Sequence, residues 1–184
     1  MIEVGMTNKR ERGTSLVEMM IAMFVLTVGL LSTMALPMVS ISGNSRNRWD
    51  SSGTILSEMV MDNLSSIPVG SATTSVTITD CAGNAHTINT TGVSTGAGAN
   101  LSGGNIDFTQ VAGTITAGYS MSYTVCGATA STQTVYDVRW NVKTITAGKT
   151  NFVTVAARTA NWSNRPQLFA VPVSLRTVVG NTGF

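Results

Sequence analysis

A chain of 184 residues has room for one modest globular core plus one special segment, and not for two comfortable domains. Only 11% of its residues are charged, against about 25% in typical soluble domains, and the net charge is +2. This excludes a phosphate-binding surface of clustered Lys and Arg, so nucleic acid is not indicated as a partner. Ser, Thr, Asn and Gly stand where charge would be, which suits an extracytoplasmic, β-rich domain.

The densest apolar run lies between Leu16 and Val39, with Glu18 as its only ionisable residue. A bilayer core of about 30 Å requires roughly 20 apolar residues in a helix, and this run is long enough. Lys9, Arg10 and Arg12 precede it and polar Ser and Asn follow. The positive-inside tendency therefore keeps residues 1–13 cytoplasmic and sends the remainder outward. A cleaved secretory signal is the bland alternative, but the run exceeds an ordinary signal core and Glu18 would be an intruder in it. An ordinary single-span anchor explains the length and gives no reason for the acid. A charge at the bilayer centre costs about 2.5–3.5 kcal/mol, which marks an intramembrane acid as a functional candidate. The other reading of Glu18 is that it snorkels to the interface.

The stretch Lys9-Arg10-Glu11-Arg12-Gly13-Thr14-Ser15-Leu16-Val17-Glu18, followed by an apolar helix, resembles the cleavage and methylation signature of type IV prepilins. The resemblance combines a basic leader, a Gly before the cut, a Glu at the fifth position after it, and an apolar stretch kept in the mature chain. It implies cleavage between Gly13 and Thr14 by a prepilin peptidase, then methylation of the new amine on Thr14. Thr14 departs from the Phe or Met commoner there. By the same resemblance, Glu18 neutralises the terminal amine of a neighbouring subunit during assembly. Val28-Gly29-Leu30-Leu31, with the segment from Ser57-Glu58-Met59 to Pro68, is most similar to the PilV-like minor pilins, the pilus modification proteins; pseudopilins of type II secretion share nearly all of these features.

Beyond Ile41, the apolar positions Trp49, Leu56, Met59, Val60, Leu64 and Ile67 recur at helical spacing and predict one buried stripe. Pro68 and Gly70 end this helix, while Pro37, Gly43 and Gly53 weaken it internally, and a bend is expected at Pro37. From Ser71 onward, short Val/Ile/Thr-rich segments separated by Gly and Asn predict antiparallel strands. Val76 and Ile78 alternate with Thr77 and Thr79. In Val135 to Val142, Tyr136, Val138, Trp140 and Val142 share a core face, while Asp137, Arg139 and Asn141 are expected in solvent. Ala147-Gly148-Lys149 then joins this strand to Phe152–Ala157 as a hairpin. Residues 90–104, rich in Gly, Ala, Ser and Thr, are expected to form a mobile loop.

Cys81 and Cys126 are the only cysteines, and an even pair in an extracytoplasmic domain favours a disulfide over two buried thiols. His86, the sole histidine, is expected to be exposed and without a partner, and no metal or cofactor is implied. No carboxylate pair, phosphate loop or nucleophile constellation supports an enzyme. The whole reads as an α+β, pilin-like fold: leader 1–13, transmembrane and polymerisation helix 14–41, amphipathic half-helix 42–68, and β-rich globular domain 69–184. The resemblance implies a minor pilin of the inner membrane with a periplasmic domain, active in pilus assembly, priming or tip display. Its expected partners are other major and minor pilins, the prepilin peptidase, the inner-membrane assembly platform and the lipid bilayer. The alternatives are a secretion pseudopilin and an anchored binding protein that never polymerises.

Overall fold

The computed structural model describes residues 15–127, 133–160 and 172–181, without the side chains of residues 34–36, 38–39, 41–43, 45–46 and 48–49. The leader and the Gly13–Thr14 bond lie outside the described residues, as does the side chain of Trp49. The chain divides into two compact units, Met1–Arg46 and Asn47–Phe184. One helix of 51 residues, α1 (Leu16–Ser66), supplies residues to both. Its helical assignment continues through Pro37, Gly43 and Gly53, and it stops one residue before Ile67-Pro68, where proline disfavours helical geometry.

In the second unit α1 buries the predicted stripe. Leu56, Val60 and Leu64 join the core, Ile67 is buried just after the helix, and Ser57 is buried with its hydroxyl donating back to the Gly53 carbonyl at 2.9 Å. Gly53 sits where α1 meets the sheet, and a Cβ built there would lie 3.5 Å from the Ala157 carbonyl, which is ordinary contact. Gly53→Ala is therefore expected to be accommodated and to stabilise the unit by about 0.5–1 kcal/mol through helix propensity. A denaturant titration showing destabilisation instead would mean the helix must approach the sheet more closely than this.

The strands are β1 (Ser75–Thr79), β2 (Ala85–Asn89), β3 (Ala97–Gly98), β4 (Leu101–Ser102), β5 (Asn105–Ile106), β6 (Ser120–Val125), β7 (Thr134–Thr146), β8 (Thr150–Thr159) and β9 (Ser174–Gly180). β1 and β2 form one antiparallel hairpin and β4 and β5 a second, short one. The main sheet is antiparallel in the order β3-β7-β8-β9, with β6 also paired to β7. β7 and β8 are the expected hairpin, in register from Tyr136↔Thr159 to Thr146↔Thr150 with a bulge between Thr144 and Thr146. Tyr136, Val138, Trp140 and Val142 share the core with Val153, Val155 and the α1 stripe. This is an α+β arrangement of an N-terminal apolar helix and a C-terminal antiparallel sheet, consistent with a pilin-like fold.

Two expectations need correction. The second face of β7 is not given over to solvent: Arg139 is 2% exposed and Asn141 6%. The segment that contains β5 and Phe108 lies over it. There the Asn141 amide donates to the Ala99 carbonyl at 2.8 Å, and the Arg139 guanidinium donates to the Gln110 carbonyl at 2.6 Å. Alternation says which residues share a face; it does not say whether that face is covered, and polar groups can be buried once their hydrogen bonds are met.

Residues 90–104, expected to be a mobile loop, instead hold β3 and β4, and Ala99 is fully buried. Gly98 has φ +100°, and a side chain there would collide with the Trp140 carbonyl and the Tyr119 ring. The small residues serve close backbone approach to β7 rather than looseness.

Candidate membrane and assembly segment

Within the first unit, Leu16–Thr33 is 18 residues of α1 that are long and apolar enough to cross a membrane, with none of its residues buried. Its rise corresponds to about 27 Å of helix. Leu16 is 77% exposed, Phe24 71% and Leu31 71%. A continuous apolar surface of this kind calls for lipid or another protein around it. The hydroxyls in the stretch are met internally: Thr27 donates to the Phe24 carbonyl at 2.8 Å, Ser32 to Val28 at 2.8 Å and Thr33 to Leu30 at 2.9 Å. These hydroxyls are thus compatible with a solvent that offers no hydrogen bonds, and Glu18 is the exception in the stretch.

Glu18 lies exposed in the first turn of α1. Its carboxylate sits near the positive end of the helix dipole. Ile21 and Ala22 follow it at the i+3 and i+4 positions, so the helix downstream offers no counter-charge. Among the described residues no ion pair involves Glu18.

In the second unit, Cys81 and Cys126 form a disulfide that ties the β1–β2 turn to the end of β6 across a sequence separation of 45. By the chain-entropy account, a closed loop of this length is worth about 4 kcal/mol. Replacing both cysteines by Ser should lower unfolding stability by roughly that amount. Equal melting midpoints with and without the bridge would refute it.

Beside the bridge, Asp80 has a fully buried side chain. It accepts hydrogen bonds from the Ala82 and Asn84 amides at 3.0 and 2.8 Å, from the Asn84 side chain at 3.1 Å and from the Thr124 amide at 3.3 Å. His86 Nε2 lies 3.2 Å away, and its ring sits 5.8 Å from that of Tyr123. His86, expected to be exposed and alone, is therefore mostly buried against a carboxylate. Asp80 was missed by sequence reading, although Asp-Cys-Ala-Gly-Asn carries the signature of a side-chain-capped turn.

Burial by itself would raise the Asp80 carboxyl, but the bonds from Asn84, His86 and Thr124 outweigh it and hold the group well below the usual carboxylate range. Asp107 is also held low, chiefly by the Thr109 hydroxyl and amide, with help from Arg139 against the opposing effect of burial. Depressed carboxyls stabilise the fold above the unfolded-state value of about 3.9 and lose that contribution as pH falls toward the folded value. Thermal stability should therefore drop below about pH 4, and Asp80→Asn should flatten the drop while lowering stability at neutral pH. An unchanged acid limb in that variant would contradict this assignment.

Among the described residues, no group of three or more His, Cys, Asp or Glu could hold a metal. Residues 8–34 match the family model for the prokaryotic N-terminal methylation motif. This motif supports a type IV pilin-like protein. The matched stretch contains Gly13, Thr14 and Glu18 and most of the exposed apolar helix. It implies processing by prepilin peptidase and assembly with other pilins. The exposed helix and the motif together fit a membrane-anchored, structural subunit of the type IV pilin or pseudopilin kind. No curated protein and no solved structure matches the chain.

Proposed function

We propose that the chain is a minor type IV pilin: an inner-membrane prepilin with a periplasmic β-rich domain, cut between Gly13 and Thr14, methylated on Thr14, and taken into a filament in which it primes assembly or is displayed at the tip. The observation that carries this reading is the prepilin motif on a helix whose Leu16–Thr33 part is exposed and apolar and whose later part buries the Leu56, Val60 and Leu64 stripe in the core. Such a chain has one element to hold it in lipid and to pack with sister helices, and a separate folded unit to present outside. Residues 14–41 then form the membrane and polymerisation helix and residues 69–184 the bulk of the displayed domain. The PilV-like subclass rests on the residue resemblance of the Val28–Leu31 and Ser57–Pro68 stretches.

A pseudopilin of a secretion system uses the same anchor, and the neighbouring genes separate the two: pilus assembly genes favour the first, a secretion ATPase and outer-membrane gate the second. The decisive measurement is N-terminal mass analysis of the membrane-extracted protein. A mature chain starting at Thr14, with or without a methyl group, is expected; a chain that keeps residues 1–13, or lacks the apolar helix, overturns the reading.

A further inference from the structure

We infer that the second unit holds a binding cleft for one unit of a neutral sugar, set at the end of the interface between α1 and the main sheet.

The cleft forms where the core runs out. Leu64 near the end of α1, Val142 on β7, Val153 on β8 and Val179 on β9 supply its inner wall, and all are buried side chains of the core. Residues 67–74, which lead away from the helix, and residues 90–92, which run back over the sheet, contribute its sides. Hydrogen bonds fix both. The Thr90 amide and hydroxyl donate to the Thr74 carbonyl at 2.8 and 2.9 Å, and the Thr144 amide donates to the Val93 carbonyl at 3.0 Å. The hollow is thus preformed, and a ligand need not order it. Thr73, Thr74 and Thr91 stand exposed at its rim. Its volume is about 200 Å³. That is several times the roughly 30 Å³ share of one water, and somewhat more than a cavity of about 150 Å³ that takes up benzene. It is below the roughly 300 Å³ at which pockets for drug-sized molecules begin, so it suits one substituted six-membered ring.

Asn151 decides the chemistry. It lines the cleft and is 7% exposed, and its Oδ1 is buried with no donor to it among the described residues. A buried acceptor left unmet is rare in a native fold and destabilises it, and a leucine would fill this position without that penalty. Gly92 lies against the same atoms. A Cβ there would stand 2.9 Å from Asn151 Oδ1 and 2.6 Å from Thr144 Oγ1, so only a glycine lets the chain pass without pushing into both oxygens. A ligand hydroxyl supplies the missing donor, and the hydroxyls of Thr73, Thr74 and Thr144 can answer it as donors or acceptors. Among the described residues no Lys, Arg, Asp, Glu or His lines the cleft, so a charged ligand would lose water there and find no counter-charge. A purely apolar ring would leave Asn151 unmet. A neutral sugar satisfies each condition: it is uncharged and ring-sized, its C–H face can lie on Leu64 and the valines, and its hydroxyls both donate and accept. The encounter with sugars outside the cell rests on the display proposed above, whereas the binding itself does not.

The test uses the full chain in phospholipid nanodiscs, since many detergents carry sugar headgroups. Its Leu, Val and Thr methyl groups are isotope-labelled and followed by NMR while the methyl glycosides of glucose, galactose, mannose and N-acetylglucosamine are titrated in. At least one should give saturable shifts at Val153 and Val179 in the millimolar range, and the charged sugars glucuronate and glucosamine should give none. Asn151→Leu fills the hollow and removes the unmet oxygen, so it should weaken binding by at least about tenfold while the melting temperature stays equal or rises. Thr73→Trp, at the exposed rim, should block entry with no loss of stability. A disaccharide ending in the responding sugar separates two sources: tighter binding than the methyl glycoside assigns the site to the end of a sugar chain, and equal binding assigns it to a single unit. Silence towards every neutral sugar, meaning a hollow that holds water only, overturns the cleft. So does an equal response to the charged sugars, or full binding by both variants. Saturable shifts in a chain that does not begin at Thr14 keep the cleft and sink the prepilin reading, and a silent titration of a chain that does begin there has the opposite result.

Discussion

Replacing Asp137 by Ala is expected to destabilise the second unit by about 3–5 kcal/mol, the range for stripping one partner from a buried ion pair. Arg139 has only 3% of its side chain exposed, and it donates to both Asp137 oxygens at 2.8 Å. Arg158 reaches the same carboxylate at 3.3 Å, and both guanidiniums lie over the Phe108 ring at 5.0 and 4.5 Å. Without Asp137, Arg158 can turn outward, since 23% of its side chain is already in water. Arg139 cannot, and is left with carbonyl partners at Gln110 and Asp107. A second variant separates charge from volume. Asp137→Leu combined with Arg139→Met removes both ions together and should recover most of the loss, because apolar replacement of a whole buried pair is often neutral or better. Urea unfolding of the detergent-solubilised chain measures both. A single-variant loss under about 1 kcal/mol would place Arg139 in effective contact with water.

The contrast between Asp137 and Glu18 shows what could be read from residue order. Helical spacing identified Leu56, Val60 and Leu64 as one buried stripe, and alternation placed Tyr136, Val138, Trp140 and Val142 in the core. In both cases side-chain direction follows from local backbone geometry alone. The β7–β8 turn was legible for the same reason: Ala147-Gly148-Lys149 interrupts two alternating runs, and Gly148 takes φ +67°. What failed was non-local. Covering of the second sheet face depends on where residues 105–110 travel, and the capture of Arg139 there depends on Gln110, 29 positions earlier. No period in the sequence encodes that meeting. Residues 90–104 misled because Gly, Ala, Ser and Thr are as suited to a tight approach, as at Gly98 against Trp140, as to looseness. His86 misled because its partner, Asp80, is brought to it by a turn and by the Thr124 strand rather than by helical or strand spacing. The motif at residues 8–34 was legible because it is a contiguous string whose pattern does not depend on any tertiary contact.

For Glu18→Ala the expected result is retained membrane insertion with loss of filament incorporation. The acid makes the lone helix less comfortable in lipid, by up to about 2.5–3.5 kcal/mol if it reached the bilayer centre and by less near the interface. Alanine removes that cost, so the anchor itself should hold at least as well. A free amine on a neighbouring helix would meet a poorly solvated carboxylate in one register only, and the pair offsets two costs that each helix otherwise bears alone. With Ala the neighbour's amine stays uncompensated, and incorporation should fall by about one to two orders of magnitude, since each 1.4 kcal/mol is tenfold. Glu18→Gln sharpens the test: it keeps a hydrogen-bonding side chain of the same length and lacks only the charge. Loss in both variants, scored by comparing sheared filament fractions with membrane fractions, assigns the role to the charge. Normal incorporation of both would mean that Glu18 merely reaches for the interface, and the exposed apolar helix would then need another source of register.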